Sequence, residues 1–429
     1  MIPVVTQGRD IKVAFYTLGC KLNQAEAESL AGQFSKAGYH LVAPNDVADI
    51  YVVNSCTVTH IADRKSRHWL RLVKRRSPKA LIIATGCYAQ RAPQELSQLA
   101  DLVLGNEEKE HLLQVIDGIH GFSPISSHGS GPSPDGIGRV RSLIKVQDGC
   151  RSPCTYCVVP GVRTNEYCLH GVEIVKEIKA KVAAAYKEVV LTGTKIGCYK
   201  SDGINLRHLI EHILCGTNVE RLRLSSLQPQ EISPELLTLW RDERLCRHFH
   251  LALQSGSDSV LERMKRGYTL DDYQRAVSLI RKAVPGVAIT TDVMVGFPGE
   301  TEEEFEQSHR FCQEAGFANI HVFPFSPRPG TQAEKMPDQV RDQVKKERTQ
   351  RMLQLARYSR RSFCERLIGK TMSVLWEKEI NSGEGIYSGL TDDYIRVFAR
   401  SEKPLAGRIA PVRLAGFREQ GLWGELISQ

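Results

Sequence analysis

The 429-residue sequence predicts an α/β multidomain protein with three folded units. We expect an N-terminal parallel α/β domain, a central partial (β/α)6 barrel and a small all-β barrel at the C-terminus. Two series in which apolar strands alternate with helices predict the first two units. Short strand-like runs between turns predict the third. The length agrees with this division, because a single core rarely grows beyond about 250–300 residues.

Residues 10–120 are predicted to form the N-terminal domain. The alternation of strand and helix there indicates a parallel sheet with right-handed crossovers. Because the carboxyl ends of parallel strands open on one edge of a sheet, we expect a site at that edge. The predicted strands are Lys12–Leu18, Asp49–Asn54, Leu81–Thr85 and Asp101–Leu104, and the predicted helices are Asn23–Ala37, Val58–Arg76 and Ala89–Leu99.

Residues 121–138 are dominated by Gly, Ser and Pro and predict a flexible linker. Residues 139–366 are predicted to form a TIM-like partial barrel, open on one side, with its chemistry at the C-terminal face of the strands. A basic helix over 338–366 is expected to end this domain. The six predicted strands are Leu143–Gln147, Glu188–Leu191, Arg221–Ser225, His248–Leu253, Ala288–Val295 and Ala318–Phe325.

Residues 367–429 differ in kind, since short strand-like runs alternate with turns over about sixty residues. This pattern predicts a small all-β barrel. Three aromatic residues there are candidates for stacking on RNA bases, with core packing as the alternative. The strand-like runs are Thr371–Glu377, Tyr394–Ala399 and Arg408–Leu414, and the aromatic residues are Trp376, Tyr387 and Tyr394.

The composition is that of a globular protein, with 41% hydrophobic and 25% charged residues. No apolar stretch is long enough to cross a membrane, and the first residues do not resemble a signal peptide. We therefore expect a cytoplasmic protein without a membrane partner. In that compartment thiols stay reduced, so clustered cysteines indicate metal binding or catalysis. The net charge of +8 is compatible with a nucleic-acid partner.

Six of the twelve cysteines form two triads. One is a compact C-x3-C-x2-C, and each member of the other follows a predicted strand. A 4Fe-4S cluster with three thiolate ligands keeps one iron open to a substrate or cofactor, so two triads predict two reactive clusters. The alternative for the compact triad is a zinc knuckle, although structural zinc usually has four protein ligands. The triads are Cys150, Cys154 and Cys157, and Cys20, Cys56 and Cys87.

The segment CRSPCTYC, at the end of the first barrel strand, resembles the signature of the radical S-adenosylmethionine (SAM) superfamily. Several other segments resemble the methylthiotransferase family, in an order that covers almost the whole chain. The C-terminal module is similar to the TRAM domain, an RNA-binding barrel. The segments are TLGCKLNQAEAE, VVNSCTVT, ATGCYAQ, HLALQSGSDSVLERMKRGYT, TDVMVGFPGETEEEF and FPFSPRPGT.

The stretch from Lys21 to Glu26 resembles the branch of the family that converts N6-threonylcarbamoyladenosine at position 37 of tRNA to its 2-methylthio derivative. The alternatives are isopentenyladenosine in tRNA, a ribosomal protein, or a metal-containing RNA-binding protein without catalysis. The resemblance implies two 4Fe-4S clusters, with SAM as both methyl donor and radical source. One SAM would methylate a sulfur on the Cys20 cluster, and a second would be cleaved to a radical at the Cys150 cluster. The radical would activate the adenine ring carbon, and both open irons would face one cavity.

The resemblance also suggests partners and contacts. The partners would be a tRNA anticodon stem-loop and an electron donor such as flavodoxin or ferredoxin, and we expect a monomer. Gln228 and Lys195 depart from the family pattern, which has Glu and often Asn there, so contacts at those positions stay open. Candidate SAM contacts at strand ends are Gly193, Ser225, Ser226, Gln254, Asp292 and Gly296. Candidate phosphate contacts on one helix face are Arg64, Arg67, Arg71 and Lys74, with a solvated face as the alternative.

Overall fold

The computed structural model describes residues 11–120, 140–381, 383–419 and 421–427. The predicted linker at 121–138 lies outside the described residues. Within them, no helix has the length and apolar character that a membrane crossing requires. The domain boundaries given above remain predictions.

The N-terminal domain is a five-stranded parallel sheet in the order β2-β1-β3-β4-β5, with helices on its faces. Its strands are β1 (Lys12–Thr17), β2 (His40–Val42), β3 (Ile50–Ser55), β4 (Leu81–Gly86) and β5 (Leu102–Val103). Its helices are α1 (Lys21–Lys36), α2 (His60–Arg76), α3 (Cys87–Arg91), α4 (Pro93–Ser97) and α5 (Leu112–His120), with a 3-10 turn at Lys109–His111. The parallel sheet predicted from the sequence is confirmed, and β2 is an additional strand.

The prediction of one helix over Ala89–Leu99 is wrong. The chain forms α3, which already begins at Cys87, and then α4. The break lies at Ala92, because Pro93 disfavours the helical conformation of the residue before it and starts a new helix at its own first position.

The strand register places the carboxyl ends of β1, β3 and β4 at the same level of the sheet. Thr17 is paired with Asn54, and Asn54 is paired with Thr85, so β1, β3 and β4 end within one residue of each other. All six residues of β3 are buried, as expected for a central strand covered on both faces. The segments that follow these three strands therefore start from the same edge.

The central domain forms an arc of six parallel strand positions, which confirms the predicted partial barrel. β6 pairs with β9 and β9 with β12; the chain then continues from β12 into β13, which pairs with β14, followed by β15 and β16. No ladder joins β6 to β16 in the described part of the chain. The strands are β6 (Arg141–Lys145), β7 (Gln147–Asp148), β8 (Tyr167–Cys168), β9 (Glu188–Thr192), β10 (Lys200–Ser201), β11 (Ile204–Asn205), β12 (Arg221–Leu224), β13 (Ser226–Leu227), β14 (His248–Leu251), β15 (Ala288–Val295) and β16 (Asn319–Pro324).

Helices cover the outer face of this arc and bury one continuous apolar core against it. The capping box at Thr301 and Glu304 begins one of them, and Gly316, in the left-handed conformation, ends it. The helices are α6 (Val159–Val162), α7 (Gly171–Ala183), α8 (Leu206–Gly216), α9 (Pro234–Leu237), α10 (Asp258–Arg263), α11 (Leu270–Ala283), α12 (Glu302–Ala315) and α13 (Asp342–Glu365), with 3-10 turns at Ile196–Cys198, Pro229–Glu231, Thr238–Arg241 and Ala333–Lys335.

The C-terminal unit is a closed five-stranded barrel in the order β17-β18-β19-β21-β20, which confirms the predicted all-β barrel. Two of its strands, β18 and β21, were not predicted. Trp376 is fully buried and Tyr387 nearly so, both in the core of this barrel, so for these two residues the alternative of core packing holds. The strands are β17 (Thr371–Glu379), β18 (Ile386–Thr391), β19 (Arg396–Arg400), β20 (Ile409–Arg418) and β21 (Gly421–Leu426).

The C-terminal barrel closes the end of the central arc at which the strands begin. Arg221, the first residue of β12, donates to the carbonyls of Leu390 (3.0 Å) and Ser373 (2.7 Å). The ring of His248, the first residue of β14, stacks on Tyr394 in the turn between β18 and β19, with centroids 5.0 Å apart. The opposite end of the arc, where the strands finish, stays free for the N-terminal domain and the cysteine loop.

Candidate functional site

The first triad comes together at the carboxyl edge of the N-terminal sheet. The Sγ atoms of Cys20 and Cys87 each lie 4.0 Å from Oδ1 of Asn23, so they are separated by no more than twice that distance. Cys56 lies against Gly19, where a Cβ atom would sit 2.7 Å from the Cys56 Sγ. Gly19 also has a φ of +98°, which a residue with a side chain rarely adopts. Glycine at this position therefore lets the segment that carries Cys20 and the segment that carries Cys56 approach each other.

Asn23 fixes this edge from the first turn of α1. Its side chain is fully buried, and its Nδ2 donates to the carbonyls of Leu18 (2.9 Å) and Ser55 (3.0 Å). Asn54 Nδ2 donates to the Asn23 carbonyl at 2.8 Å. These bonds hold the segments before Cys20 and Cys56 together, which explains why an asparagine is buried at this position.

The second triad lies in the loop that follows β7. Gly149, with φ +75°, begins the loop, and a Cβ atom there would lie 2.2 Å from the carbonyl oxygen of Asn165. The amide of Ser152 is 3.4 Å from Cys150 Sγ, and Arg266 Nη1 is 3.2 Å from Cys154 Sγ. The thiols of this loop therefore face N–H donors, which suit a thiolate better than a neutral thiol.

The spacing of the thiols fits a cluster better than a single metal ion. Only His250, Asp292 and His321, among the residues that the structure describes, form a set of three or more His, Cys, Asp or Glu side chains whose ligand atoms all lie within 4.8 Å. Each cysteine triad therefore has at least one wider gap. Three thiolates on one zinc ion lie only about 3.8 Å apart at Zn–S distances of about 2.3 Å. A 4Fe-4S cluster binds each thiolate through a different iron and accepts the wider spacing.

The two triads lie next to each other across the domain interface. Cys87 packs against Val158 and Val162, which follow Cys157 in the chain. Asn106 bridges the same place, because its Nδ2 lies 3.7 Å from Cys87 Sγ and donates to the Val162 carbonyl at 2.7 Å. Groups bound to the two triads would therefore share this interface.

A buried arginine joins the domains at this point. Arg163 is 5% exposed, and its guanidinium donates to Glu26 and Asn23 of the N-terminal domain and to Asp148 of the central domain, all within 2.7–3.0 Å. Lys109 also contacts Glu26, at 2.5 Å. Burial opposes the ionisation of Glu26, but Lys109 and Arg163 outweigh it and hold the pKa of Glu26 well below its usual range.

Burial raises the pKa of three of the triad thiols when no metal is bound. It raises the pKa of Cys56 and of Cys157 to about 12 and also raises the pKa of Cys20, while Arg163 acts in the opposite direction on Cys20. Without a metal these thiols stay protonated at neutral pH. Iron binding must displace the protons, so loading of both triads releases protons.

Three of the predicted SAM contacts lie at or just after the finishing ends of the strands. Gly193 follows β9, and a Cβ atom there would lie 2.7 Å from the Gln147 carbonyl. The Oγ of Ser225 and the Oε1 of Gln254 are buried without a hydrogen-bond partner, which is uncommon and fits an absent polar ligand. Gln254 also has a φ of +69°, a strained conformation of the kind found at functional sites.

The other three predicted SAM contacts are placed differently. Ser226 is exposed at the start of β13. Gly296 has a φ of +72°, and a Cβ atom there would lie 2.2 Å from Cγ of Lys345 in α13, so its glycine is explained by helix packing. Asp292 accepts from His250 Nε2 at 3.1 Å and from His321 Nδ1 at 3.2 Å. Burial opposes ionisation, but these two histidines outweigh it and hold the pKa of Asp292 well below its usual range.

The basic face of α2 is only partly available. Arg64, Arg71 and Lys74 are exposed, and we call these three residues the α2 basic face. Arg67 differs, since its guanidinium contacts the Tyr88 hydroxyl and forms an ion pair with Glu95 at 3.6 Å. Arg67 is therefore held against the protein, and the α2 basic face stays a predicted RNA contact.

Several residues near the triads were not identified from the sequence. Asn23, Arg163 and Arg266 each contact a cysteine or connect the triads, and Thr194 Oγ1 is a further buried atom without a partner beside Gly193. Asn23 and Arg266 lie within segments that the sequence analysis quoted as motifs, so their presence there was a usable signal. Arg163 lies in no such segment, and only the fold brings it to Glu26.

Two family models match the chain. Residues 12–105 match the uncharacterized protein family UPF0004, and residues 144–312 match the radical SAM superfamily. The first range contains one cysteine triad and the second range contains the other.

Curated relatives match almost the whole chain. The threonylcarbamoyladenosine tRNA methylthiotransferase MtaB of Bacillus subtilis (strain 168) is 36% identical over 94% of this chain and 93% of its own length. The MtaB of Aquifex aeolicus (strain VF5) is 39% identical over 90% and 96%. The tRNA-2-methylthio-N(6)-dimethylallyladenosine synthase of Moorella thermoacetica is 32% identical over 96% and 97%.

A solved structure supports the fold. The radical S-adenosylmethionine methyltransferase TsrM of Kitasatospora setae, solved with cobalamin and a [4Fe-4S] cluster, superposes with a TM-score of 0.54 at 15% identity and covers 76% of this chain and 74% of its own.

Proposed function

The chain belongs to the radical SAM tRNA methylthiotransferase family, and from that premise we propose that it 2-methylthiolates N6-threonylcarbamoyladenosine at position 37 of tRNA. It is an enzyme that transfers a sulfur-containing group, and it uses SAM and a 4Fe-4S cluster. The observation that carries the proposal is the meeting of two separate cysteine triads at one interface, through the contact of Cys87 with Val158 and Val162.

We assign Cys150, Cys154 and Cys157 as ligands of the SAM-binding cluster and the other triad as ligands of a second 4Fe-4S cluster. When bound, the clusters and SAM supply the electron, the radical and the methylated sulfur that the reaction needs. Arg266, 3.2 Å from Cys154 Sγ, offsets thiolate charge at the SAM-binding cluster, and Arg163 does so near Cys20. The ligands of the second cluster are Cys20, Cys56 and Cys87.

The unpartnered polar atoms at the strand ends support a SAM site there. Ser225 Oγ, Gln254 Oε1 and Thr194 Oγ1 offer hydrogen bonds to a ligand, whereas close packing against Gln147 explains the glycine at 193. Asp292 is already shared by two histidines, so we place it beside the site and propose no direct contact with SAM. Ser226 and Gly296 are not retained as SAM contacts, for the placements described above.

For the tRNA, we propose that the α2 basic face contacts phosphates of the anticodon stem-loop and that the C-terminal barrel, as a TRAM-like module, contributes to RNA binding. The substrate supports a cytoplasmic location. A flavodoxin- or ferredoxin-type electron donor and a monomeric state complete the proposal.

Anaerobic reconstitution with iron and sulfide tests the cluster assignment. We expect about eight irons per chain for the unaltered protein and about four when the cysteines of either triad are all replaced by alanine. Cys215→Ala is the matched control, because Cys215 is exposed on α8 and distant in sequence from both triads. About four irons in the unaltered protein, or zinc without sulfide, would contradict the two-cluster proposal.

The substrate is tested with anticodon stem-loop RNAs that carry either N6-threonylcarbamoyladenosine or isopentenyladenosine at position 37. Mass spectrometry of the released nucleosides is expected to show a 2-methylthio product from the first RNA. A product from the isopentenyl RNA alone would reject the proposed substrate and favour the activity named for the Moorella thermoacetica relative.

A further inference from the structure

A cavity of about 210 Å³ lies inside the central arc, at the end closed by the C-terminal barrel. Its walls come from the beginnings of β14, β15 and β16 and from the segment Leu390–Arg396. Lys21, from the first turn of α1, reaches the same cavity through the open side of the arc. The cavity thus lies between a residue adjacent to Cys20 and the strands that carry Gln254 and Asp292.

The Lys and Arg side chains that line the cavity are Lys21, Arg360 and Arg396, and Lys21 is the one that we consider as the partner of an anionic ligand. The ammonium of Lys21 forms no ion pair with a carboxylate within the described residues and lies 5.6 Å from the centre of the Tyr394 ring. The guanidinium groups of Arg141 and Arg223 approach the same ring, at 5.7 and 4.8 Å. Both guanidinium groups are already paired, Arg141 with Glu377 and Arg223 with Glu188, so Lys21 is the cation that an anionic ligand would pair with.

The remaining charged groups of the wall are occupied. His250 and His321 share Asp292, Arg396 forms an ion pair with Glu377, and Arg360 also has a partner. One acid faces the cavity, Asp393; it forms an ion pair with Arg247 at 3.7 Å, and both of its carboxyl oxygens are buried without a hydrogen-bond donor. The cavity therefore offers one cation and one hydrogen-bond acceptor for a ligand to satisfy.

We propose that this cavity binds the N6 substituent of the substrate adenine and that Lys21 pairs with its carboxylate, which makes Lys21 a specificity-determining residue. The inference rests on the proposed function, since N6-threonylcarbamoyladenosine carries a carboxylate and a hydroxyl on that substituent. Lys21 would take the carboxylate, and Asp393 would accept from the hydroxyl.

The dimensions agree with a substituent rather than a whole nucleoside. Pockets for drug-sized ligands have volumes of about 300–1,000 Å³, and this cavity is smaller. His250, on the cavity wall, is connected to Gln254 through Asp292, whose carboxylate accepts from His250 at 3.1 Å and whose carbonyl accepts from the Gln254 amide at 2.8 Å. The adenine ring can therefore lie near the triads while its N6 substituent extends toward Lys21.

Lys21 also gives a physical basis for discrimination between substrates. An isopentenyl group carries neither charge nor hydrogen-bonding atoms, so it would leave Lys21 without a carboxylate partner and Asp393 without a hydrogen-bond donor. A site with polar groups rejects a ligand that leaves them unpaired more strongly than an apolar pocket rejects a polar ligand.

Two stem-loop RNAs test the inference by fluorescence anisotropy with the reconstituted protein. One carries N6-threonylcarbamoyladenosine, and the other carries the same nucleoside with its carboxylate converted to a carboxamide. The unaltered protein is expected to bind the carboxylate RNA about tenfold more tightly, the range of a charge-assisted hydrogen bond. In Lys21→Met the two affinities should become equal, and Lys21→Arg should keep a preference because it keeps the charge.

Lys179→Met is the matched control, because Lys179 is exposed on α7 and its replacement removes the same charge. The control should retain the full preference. A Lys21→Met protein with normal iron content and an undiminished preference would overturn the inference, as would an unaltered protein without any preference. Should Lys21→Met fail to load iron, Lys21→Gln and the comparison of the two RNAs on the unaltered protein still decide it.

The product assay separates this inference from the proposed function. If the loaded protein methylthiolates the threonylcarbamoyl RNA while Lys21→Met leaves the preference unchanged, only the inference fails. If no product forms from that RNA, the proposed function fails, and the basis of the inference fails with it.

Discussion

Replacement of Arg223 by methionine is predicted to destabilise the central domain, because the buried carboxylate of Glu188 would lose its ion-pair partner. The two side chains are fully buried, and Arg223 Nε donates to Glu188 Oε1 at 2.8 Å while Nη2 donates to Oε2 at 3.1 Å. Arg223 also donates to the carbonyl of Asp392 at 2.8 Å, so it ties the central arc to the C-terminal barrel. Arg223→Met would leave the Glu188 carboxylate buried without its partner.

The magnitude follows from the neighbours of Glu188. Removal of one partner from a buried ion pair typically costs about 3–5 kcal/mol of folding free energy. Arg141 and Arg221 lie opposite Glu188 in the register of the two adjacent strands, and both remain in the variant. We therefore expect the lower end, about 3 kcal/mol, which corresponds to a fall in Tm of about 6–12 °C for a domain of this size.

The pH dependence identifies the cause. Burial opposes the ionisation of Glu188, but Arg223 outweighs it and lowers the pKa of Glu188 in the folded protein. Without Arg223, only Arg141 and Arg221 still oppose the effect of burial, and we expect the pKa of Glu188 to rise above its unfolded value. An acid whose pKa is raised by folding loses stability as the pH rises through the folded pKa, so the loss should be larger at pH 8 than at pH 5.

Differential scanning calorimetry of the unaltered protein, Arg223→Met and the double variant with Glu188→Gln measures this effect at one scan rate. The double variant should recover a substantial part of the lost Tm, because it removes the unpaired charge. A double variant as unstable as Arg223→Met at both pH values would refute this explanation and point to lost packing.

Two further outcomes are expected. Replacement of all three residues of the α2 basic face by glutamine should weaken tRNA binding and reduce the dependence of log K on log salt by up to about 0.9 per lost phosphate contact; an unchanged salt titration would contradict it. Burial and Asp392 raise the pKa of Asp393 to about 7, against the attraction of Arg247, Arg223 and Lys370. Since this pKa lies above the unfolded value, Asp393 reduces stability as the pH rises toward 7, so Asp393→Asn should raise Tm more at pH 8 than at pH 5; equal gains would exclude the charge as the cause.

Local sequence patterns were sufficient to predict the order of strands and helices and the candidate cluster ligands. The strands before Cys20, Cys56 and Cys87 are short apolar runs that end at the cysteine, and parallel strands finish on one edge, so the convergence of the triad was predictable. The compact spacing of Cys150, Cys154 and Cys157 needs no tertiary information. The wrong prediction at 89–99 has a local cause as well, since Pro93 interrupts the helix.

Contacts between segments distant in sequence were not predictable. Gly296 lies at a strand end, where a cofactor contact was expected, yet its Cβ position is filled by Lys345 of a helix some fifty residues later. Trp376 looked like a base-stacking residue, because nothing in its neighbourhood reveals that β18 and β20 enclose it.

The sequence by itself determined the thiols, the strand–helix alternation and the family, because these depend on spacing along the chain. Only the tertiary structure decided that Arg163 joins Glu26 to Asp148 and that the turn at Tyr394 closes the base of the arc beside Lys21. The physical reason is that such contacts arise from strand register and domain packing, where residues more than a hundred positions apart satisfy each other's charge and hydrogen-bonding needs.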